Sequence, residues 1–149
     1  MTTLILRHRR ENLKKCSLTG LENHPELKFY TYPVDQLPDC SHFLLLKVGA
    51  PPLTIEDKER DLFLIDGTWR LAQVMEKQLP WKLEARSLPG HYRTAYPRRQ
   101  TDCPDPEAGL SSLEALFIAH RILGRSTENL LDRYYWKELF IRYNEFQHP

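Results

Sequence analysis

The chain alternates short apolar runs with charged stretches at helical spacing. Residues 2–6 are β-branched and apolar and read as a first strand. Residues 27–32 alternate and stop at Pro33. Residues 43–48 form an almost wholly apolar run, as expected of a strand covered on both faces. Leu53 and Thr54 open a charged helical turn through Arg60, with Thr54 as its N-cap. Residues 62–65 predict another buried strand. Leu71, Met75 and Leu79 follow at helical spacing over residues 70–78, and Pro80 stops that helix. Residues 84–88 suit a short strand.

Residues 89–109 are rich in Pro, Gly, Arg and Asp and predict a long loop. A structureless loop of that length is either functional or a misread element. It runs into Ser111 and Glu114, which have the spacing of a capping box. Leu113, Leu116, Phe117, His120 and Leu123 then share one helical stripe, closed by Gly124. A last helix is predicted over residues 127–146, its stripe including Leu130, Leu131, Tyr134, Tyr135, Leu139 and Tyr143. Strands alternating with helices predict an α/β fold with a largely parallel sheet and flanking helices.

Length and composition fit one soluble domain: 149 residues, 41% hydrophobic, no repeat and no linker. No run approaches the roughly 20 apolar residues of a membrane span, and no signal-peptide core is present, so a cytoplasmic location is expected. Cys16, Cys40 and Cys103 lack zinc-knuckle spacing, so free thiols are expected, with neither disulfides nor a metal. A monomer is expected.

The net charge is only +1, but its distribution is uneven. Arg7, Arg9, Arg10, Lys14 and Lys15 crowd the N-terminal region; Arg93, Arg98 and Arg99 form a second cluster. These are either solvated basic stretches or two arms of one phosphate-binding surface.

The residues with most chemical content are Asp66-Gly67-Thr68-Trp69, placed where a buried strand ends. In open α/β sheets ligands bind beyond the carboxyl ends of the strands. Asp66 there is a helix N-cap or a general base, and Thr68 as cap would free it for the second role. Trp69 is a core residue or a wall for a cation or heterocycle. The Ser111 end of the next helix is a plain capping box, or a place where free backbone N–H groups meet an anion. His120 on an apolar stripe reads as a core histidine, and Trp81 and Trp136 read as packing.

Asp66-Gly67-Thr68-Trp69, Leu88-Pro89, Tyr96-Pro97 and Leu110-Ser111-Ser112-Leu113-Glu114-Ala115 together resemble the DTW-domain superfamily of RNA aminocarboxypropyltransferases. Lys15-Cys16-Ser17 with Leu18 and Leu21, and Tyr135-Trp136 with Phe140 and Asn144, are similar to its ribosomal RNA branch. The resemblance implies a SPOUT-like fold with a C-terminal trefoil knot. A basic segment of about residues 1–60 would pack on a cofactor-binding portion of about residues 61–149.

It also implies S-adenosyl-L-methionine as donor of a 3-amino-3-carboxypropyl group and RNA, transfer or ribosomal, as acceptor. Asp66 would then be the catalytic base. Ser17, Ile65, Asp66, Thr68, Trp69, Leu88, Gly109, Leu110, Ser111, Ser112 and Glu114 would surround the donor. Trp69 with Ala72 would wall its methyl side. Tyr92 and Tyr96 would stack on the target base, and the arginines would hold its phosphates. SPOUT-type methyl transfer to RNA and a non-catalytic RNA-binding or ribosome-assembly module are the rival readings. Three departures leave the acceptor open: N-terminal cysteine motifs of the transfer RNA branch are missing, Tyr96-Pro97 stands where the ribosomal branch has Asn-Pro, and Asp66-Gly67-Thr68-Trp69 stands where it has a DCSW-like motif.

Overall fold

The computed structural model describes residues 2–14, 16–97 and 109–146. Five strands form one sheet: β1 Thr3–His8, β2 Leu27–Tyr32, β3 Leu44–Leu46, β4 Leu62–Asp66 and β5 Glu84–Arg86. Their order is β2-β1-β4-β3-β5, and every pairing is parallel. The helices are α1 Trp69–Lys77, α2 Ser112–Ile122 and α3 Lys137–Asn144.

The central strands are mostly apolar because both sheet faces are covered, which is the rule for parallel sheets. Strand alternation assigns the faces. Ile5 and Leu64 pack with Leu116, Phe117 and Phe140 of α2 and α3. Leu4, Leu6 and Phe63 pack with Met75 of α1 and with Cys40. Thr3 and Arg7 share the face of Ile5, and Leu62 and Asp66 share the face of Leu64. Consistent with this, Thr3 Oγ1 lies 3.1 Å from His120 Nε2 on α2. His120 is therefore a satisfied core residue; burial holds its pKa below the ordinary value.

Both expected helix starts are capped as predicted. Thr68 Oγ1 accepts from Leu71 N at the start of α1. Ser111 and Glu114 form a complete capping box on α2. Gly124 follows α2 with φ +70°, a left-handed conformation that glycine adopts without a Cβ penalty. The charged turn after Thr54 is a single 3-10 turn, Ile55–Asp57.

The last helix departs from its prediction. Only Lys137–Asn144 is helical, and residues 127–136 run through successive turns with no helix. Asn129 has φ +67°, which no α-helix accommodates, so the apolar spacing of Leu130, Leu131 and Tyr134 reports burial rather than helix. Residues 98–108, which lead to the trefoil expected around Gly109–Ser112, lie outside the described residues, with Lys15, Arg98, Arg99 and Cys103. Among the described residues no helix is long and apolar enough to cross a membrane.

Candidate functional site

The chain leaves β1 toward the face of α2, where Cys16 and Leu18 join the core. It leaves β4 toward the opposite face, where α1 covers the sheet. Adjacent parallel strands whose connections diverge in this way open a crevice at their carboxyl ends. That crevice is a cavity of about 570 Å³. Arg10, Glu11, Asn12, Cys16 and Ser17 line it from the segment after β1. Asp66, Gly67 and Thr68 line it from the end of β4, Ser111 and Ser112 from the start of α2, and Tyr96 and Pro97 from the loop.

Asp66 is at its floor, 4% exposed. Its Oδ2 accepts from Arg7 Nε at 3.2 Å and from Cys16 Sγ at 3.1 Å. Its Oδ1 accepts from Ser112 Oγ at 2.9 Å. A carboxylate offers about four acceptor sites, so Oδ1 keeps one for a ligand in the crevice. Asp66 is not a helix cap, because Thr68 does that work.

Arg7 leaves the basic surface with which it groups in sequence. Strand alternation turns it inward, where its guanidinium pairs with Asp66 and lies 4.8 Å from the Phe29 ring centroid. Its charge holds the acid in place and does not face solvent.

Glu11, Cys16 and Asp66 bring a ligand-type atom each within 4.8 Å of one another. Burial and the Asp66 charge push the Cys16 thiol up to about 12, so it enters this cluster as a protonated donor. The positive charge comes from Arg7. The Glu11 carboxyl is raised by burial and then by Asp66, with Arg7 acting in the opposite sense.

The start of α2 is less open than a bare helix end. Ser17 Oγ accepts from Leu113 N at 3.1 Å, and Ser111 Oγ accepts from Glu114 N at 3.2 Å. These two amides are not free for an anion, contrary to the functional reading of the capping box. Glu114 itself is fully buried and does not line the cavity. Its carboxylate accepts from Ser111 N, Thr94 Oγ1, Ala95 N and Tyr134 Oη. It ties the loop and the chain before α3 to the start of α2, so its part in the site is to hold other groups and not to touch a ligand.

The structure does not bring Trp69 into the Asp66 crevice. Asp66 and Trp69 line separate cavities that share no lining residue among the described residues. Trp69, 44% exposed, lines a second cavity of about 650 Å³ at the carboxyl ends of β3 and β4. Leu45, Leu46, Val48, Ile65 and Ala72 give it apolar walls, and Lys47 and Glu76 pair at 2.7 Å among its lining residues. Ile65 goes with Trp69 because adjacent strand residues face opposite ways.

Leu88 and Leu110 are half-buried and pack against the core on the α2 face, and Gly109 is half-buried beside them. A Cβ at Gly67 would meet Leu71, His8 and Met75 at 3.6 to 3.7 Å, ordinary contacts, so sterics do not require glycine there.

Of the basic residues, Arg10 reaches the crevice, while Arg9 and Lys14 are exposed nearby in sequence. Arg93 is exposed but does not line the crevice. Tyr92 is turned to packing, its ring 4.2 Å from His91 and 5.8 Å from Phe146. Sequence reasoning missed Glu11 and Asn12, although their place just beyond the first strand end was the available signal.

No protein-family model and no curated protein matches the chain. Among solved structures, the fold is similar to that of the SAM-dependent rRNA:acp-transferase Tsr3 from Vulcanisaeta distributa. The TM-score is 0.71 at 24% identity, covering 97% of this chain and 78% of that one. At this identity the likeness is one of fold.

Proposed function

We propose that this chain transfers the 3-amino-3-carboxypropyl group of S-adenosyl-L-methionine to a uridine-type base in RNA, ribosomal RNA before transfer RNA. The observation that carries the reading is the pair of cavities at the end of β4. One is walled by an indole and apolar groups, the other floored by a held carboxylate, and both open from residues 65–69. The fold shared with an rRNA:acp-transferase supports it.

The Trp69 cavity fits the donor. Its volume lies within the range of small-molecule sites. An indole face suits a sulfonium, and Ile65 and Ala72 give a methyl group an apolar seat. The donor supplies an electrophilic carbon next to its positive sulfur. Selectivity between the propyl Cγ and the methyl would then be positional: Trp69 and Ala72 would wall the methyl side, leaving Cγ to meet the acceptor past the end of β4.

The acceptor base enters the crevice. Asp66 Oδ1 accepts its N–H, while Arg7, Cys16 and Ser112 keep the carboxylate from turning. As the nitrogen–carbon bond forms and the carbon–sulfur bond breaks, the N–H proton passes to a carboxylate of the crevice. Glu11 is the second such group within reach.

The test is incubation of the chain with the donor and ribosomal RNA, followed by mass analysis of nucleosides. A uridine-type nucleoside gaining one aminocarboxypropyl group is expected. A gain of one methyl identifies a methyltransferase. No gain, together with no donor binding by calorimetry, identifies a non-catalytic module.

A further inference from the structure

We propose that a groove beside the Asp66 crevice is a stacking subsite for the nucleotide that flanks the target base; this rests on the RNA-modifying reading above. The groove has a volume of about 610 Å³ and shares Cys16, Ser17, Tyr96 and Pro97 with the crevice, so the two form a continuous path. Tyr135 and Trp136 form its far wall, and Lys14 and Arg133 supply its charge.

Tyr135 is 85% exposed, and its described ring contact is with Trp136, edge to face at 4.6 Å. A tyrosine so exposed gains little from burial, yet this one is presented from an anchored segment. Its neighbour Tyr134 is buried, with its hydroxyl donating to Glu114 Oε2 at 3.0 Å. Trp136 packs partly on the core at the start of α3. The turns over residues 127–136 thus point one aromatic inward and leave the next facing out.

The charge of the groove selects its occupant. Among the described residues no acidic side chain lines it. Among the described residues neither the Lys14 ammonium nor the Arg133 guanidinium has a carboxylate within ion-pair distance. Exposed aromatic faces next to unpaired cations are how single-stranded nucleic acid is held, bases on the rings and phosphates on the cations. RNA modified at a base is also engaged where its bases are unstacked. A base placed in the Asp66 crevice would lead the adjoining nucleotide over Tyr135.

The test is binding of a fluorescein-labelled octauridylate, followed by anisotropy at several salt concentrations, with donor binding measured by calorimetry on the same proteins. Tyr135→Ala is expected to weaken the oligonucleotide about tenfold, since base–aromatic stacking has that size. Tyr135→Phe keeps the ring face and retains wild-type affinity. Arg133→Ala flattens the dependence of log affinity on log salt by about 0.7, one phosphate contact on a single strand. Donor binding stays the same in all three. Unchanged oligonucleotide affinity in Tyr135→Ala overturns the proposal, as does failure of the wild-type chain to bind the oligonucleotide. Loss of oligonucleotide binding in Tyr135→Ala, with no donor binding even in the wild type, would sink the transferase reading and leave the groove standing.

Discussion

Arg7 on β1 and Asp66 on β4 are register partners, and Arg7 Nε donates to Asp66 Oδ2 at 3.2 Å in the interior. Their side chains are 11% and 5% exposed, so the pair is largely screened from water. Removing one member of such a pair leaves a buried charge without compensation, which costs about 3–5 kcal/mol. Arg7→Met is therefore expected to destabilise the chain by that amount in urea unfolding. In an Asp66→Asn background the same substitution should cost much less, because no carboxylate remains to be orphaned. Equal costs in the two backgrounds would show that the residues are not coupled. Asp66→Asn, which keeps the shape of the acid, is also the better variant for testing transfer.

Glu114 illustrates how a residue in a ligand-like motif serves the fold. Four donors surround its two oxygens, at 2.6 to 3.0 Å. Glu114→Gln sets an amide N–H₂ against groups that themselves donate. Leaving even one buried donor unsatisfied costs about 1–3 kcal/mol. The expected result is a clear fall in the urea midpoint, with faster hydrogen exchange at the Ala95 amide. Wild-type exchange at Ala95 would show that Glu114 does not hold the loop.

Trp69 is the opposite case, a large apolar residue half out of the core. Trp69→Ala removes a half-buried ring and should lower the unfolding midpoint while the chain stays folded. If the donor sits against the indole, its affinity falls about tenfold, the scale of a partly desolvated cation–π contact together with lost apolar area. Calorimetry with S-adenosyl-L-methionine measures this directly. Unchanged affinity in Trp69→Ala would mean that the donor does not sit against the indole.

The parallel sheet was legible because both its covers demand apolar strands, and the runs at residues 2–6, 43–48 and 62–65 carry that demand locally. The caps were legible for the same reason: Thr68, Ser111 and Glu114 bond backbone amides within a few residues. What sequence could not carry were facts of alternation between neighbouring strands. Arg7 reads as surface charge until β1 is set beside β4, when it turns inward onto Asp66. Asp66 and Trp69, three residues apart, read as one site until β4 gives way to α1 and divides them between two cavities. Residues 127–136 were misread because apolar spacing measures burial, and the turn at Asn129 buries Leu130, Leu131 and Tyr134 as well as a helix would. That error hid the exposure of Tyr135.

Glu11 offers a pH test of the crevice. Burial and the neighbouring Asp66 raise its carboxyl above the ordinary value of 4.5. The folded chain then binds this proton more tightly than the unfolded chain does. The stability it contributes is fully present below about pH 4.5 and is lost as pH rises through the raised folded value. Glu11→Gln mimics the protonated group and removes that loss. The variant should therefore be more stable than the wild type at pH 7, and the two should converge near pH 4. Urea unfolding at the two pH values measures the gap. A gap of the same size at both would mean that folding leaves the proton affinity of Glu11 unchanged.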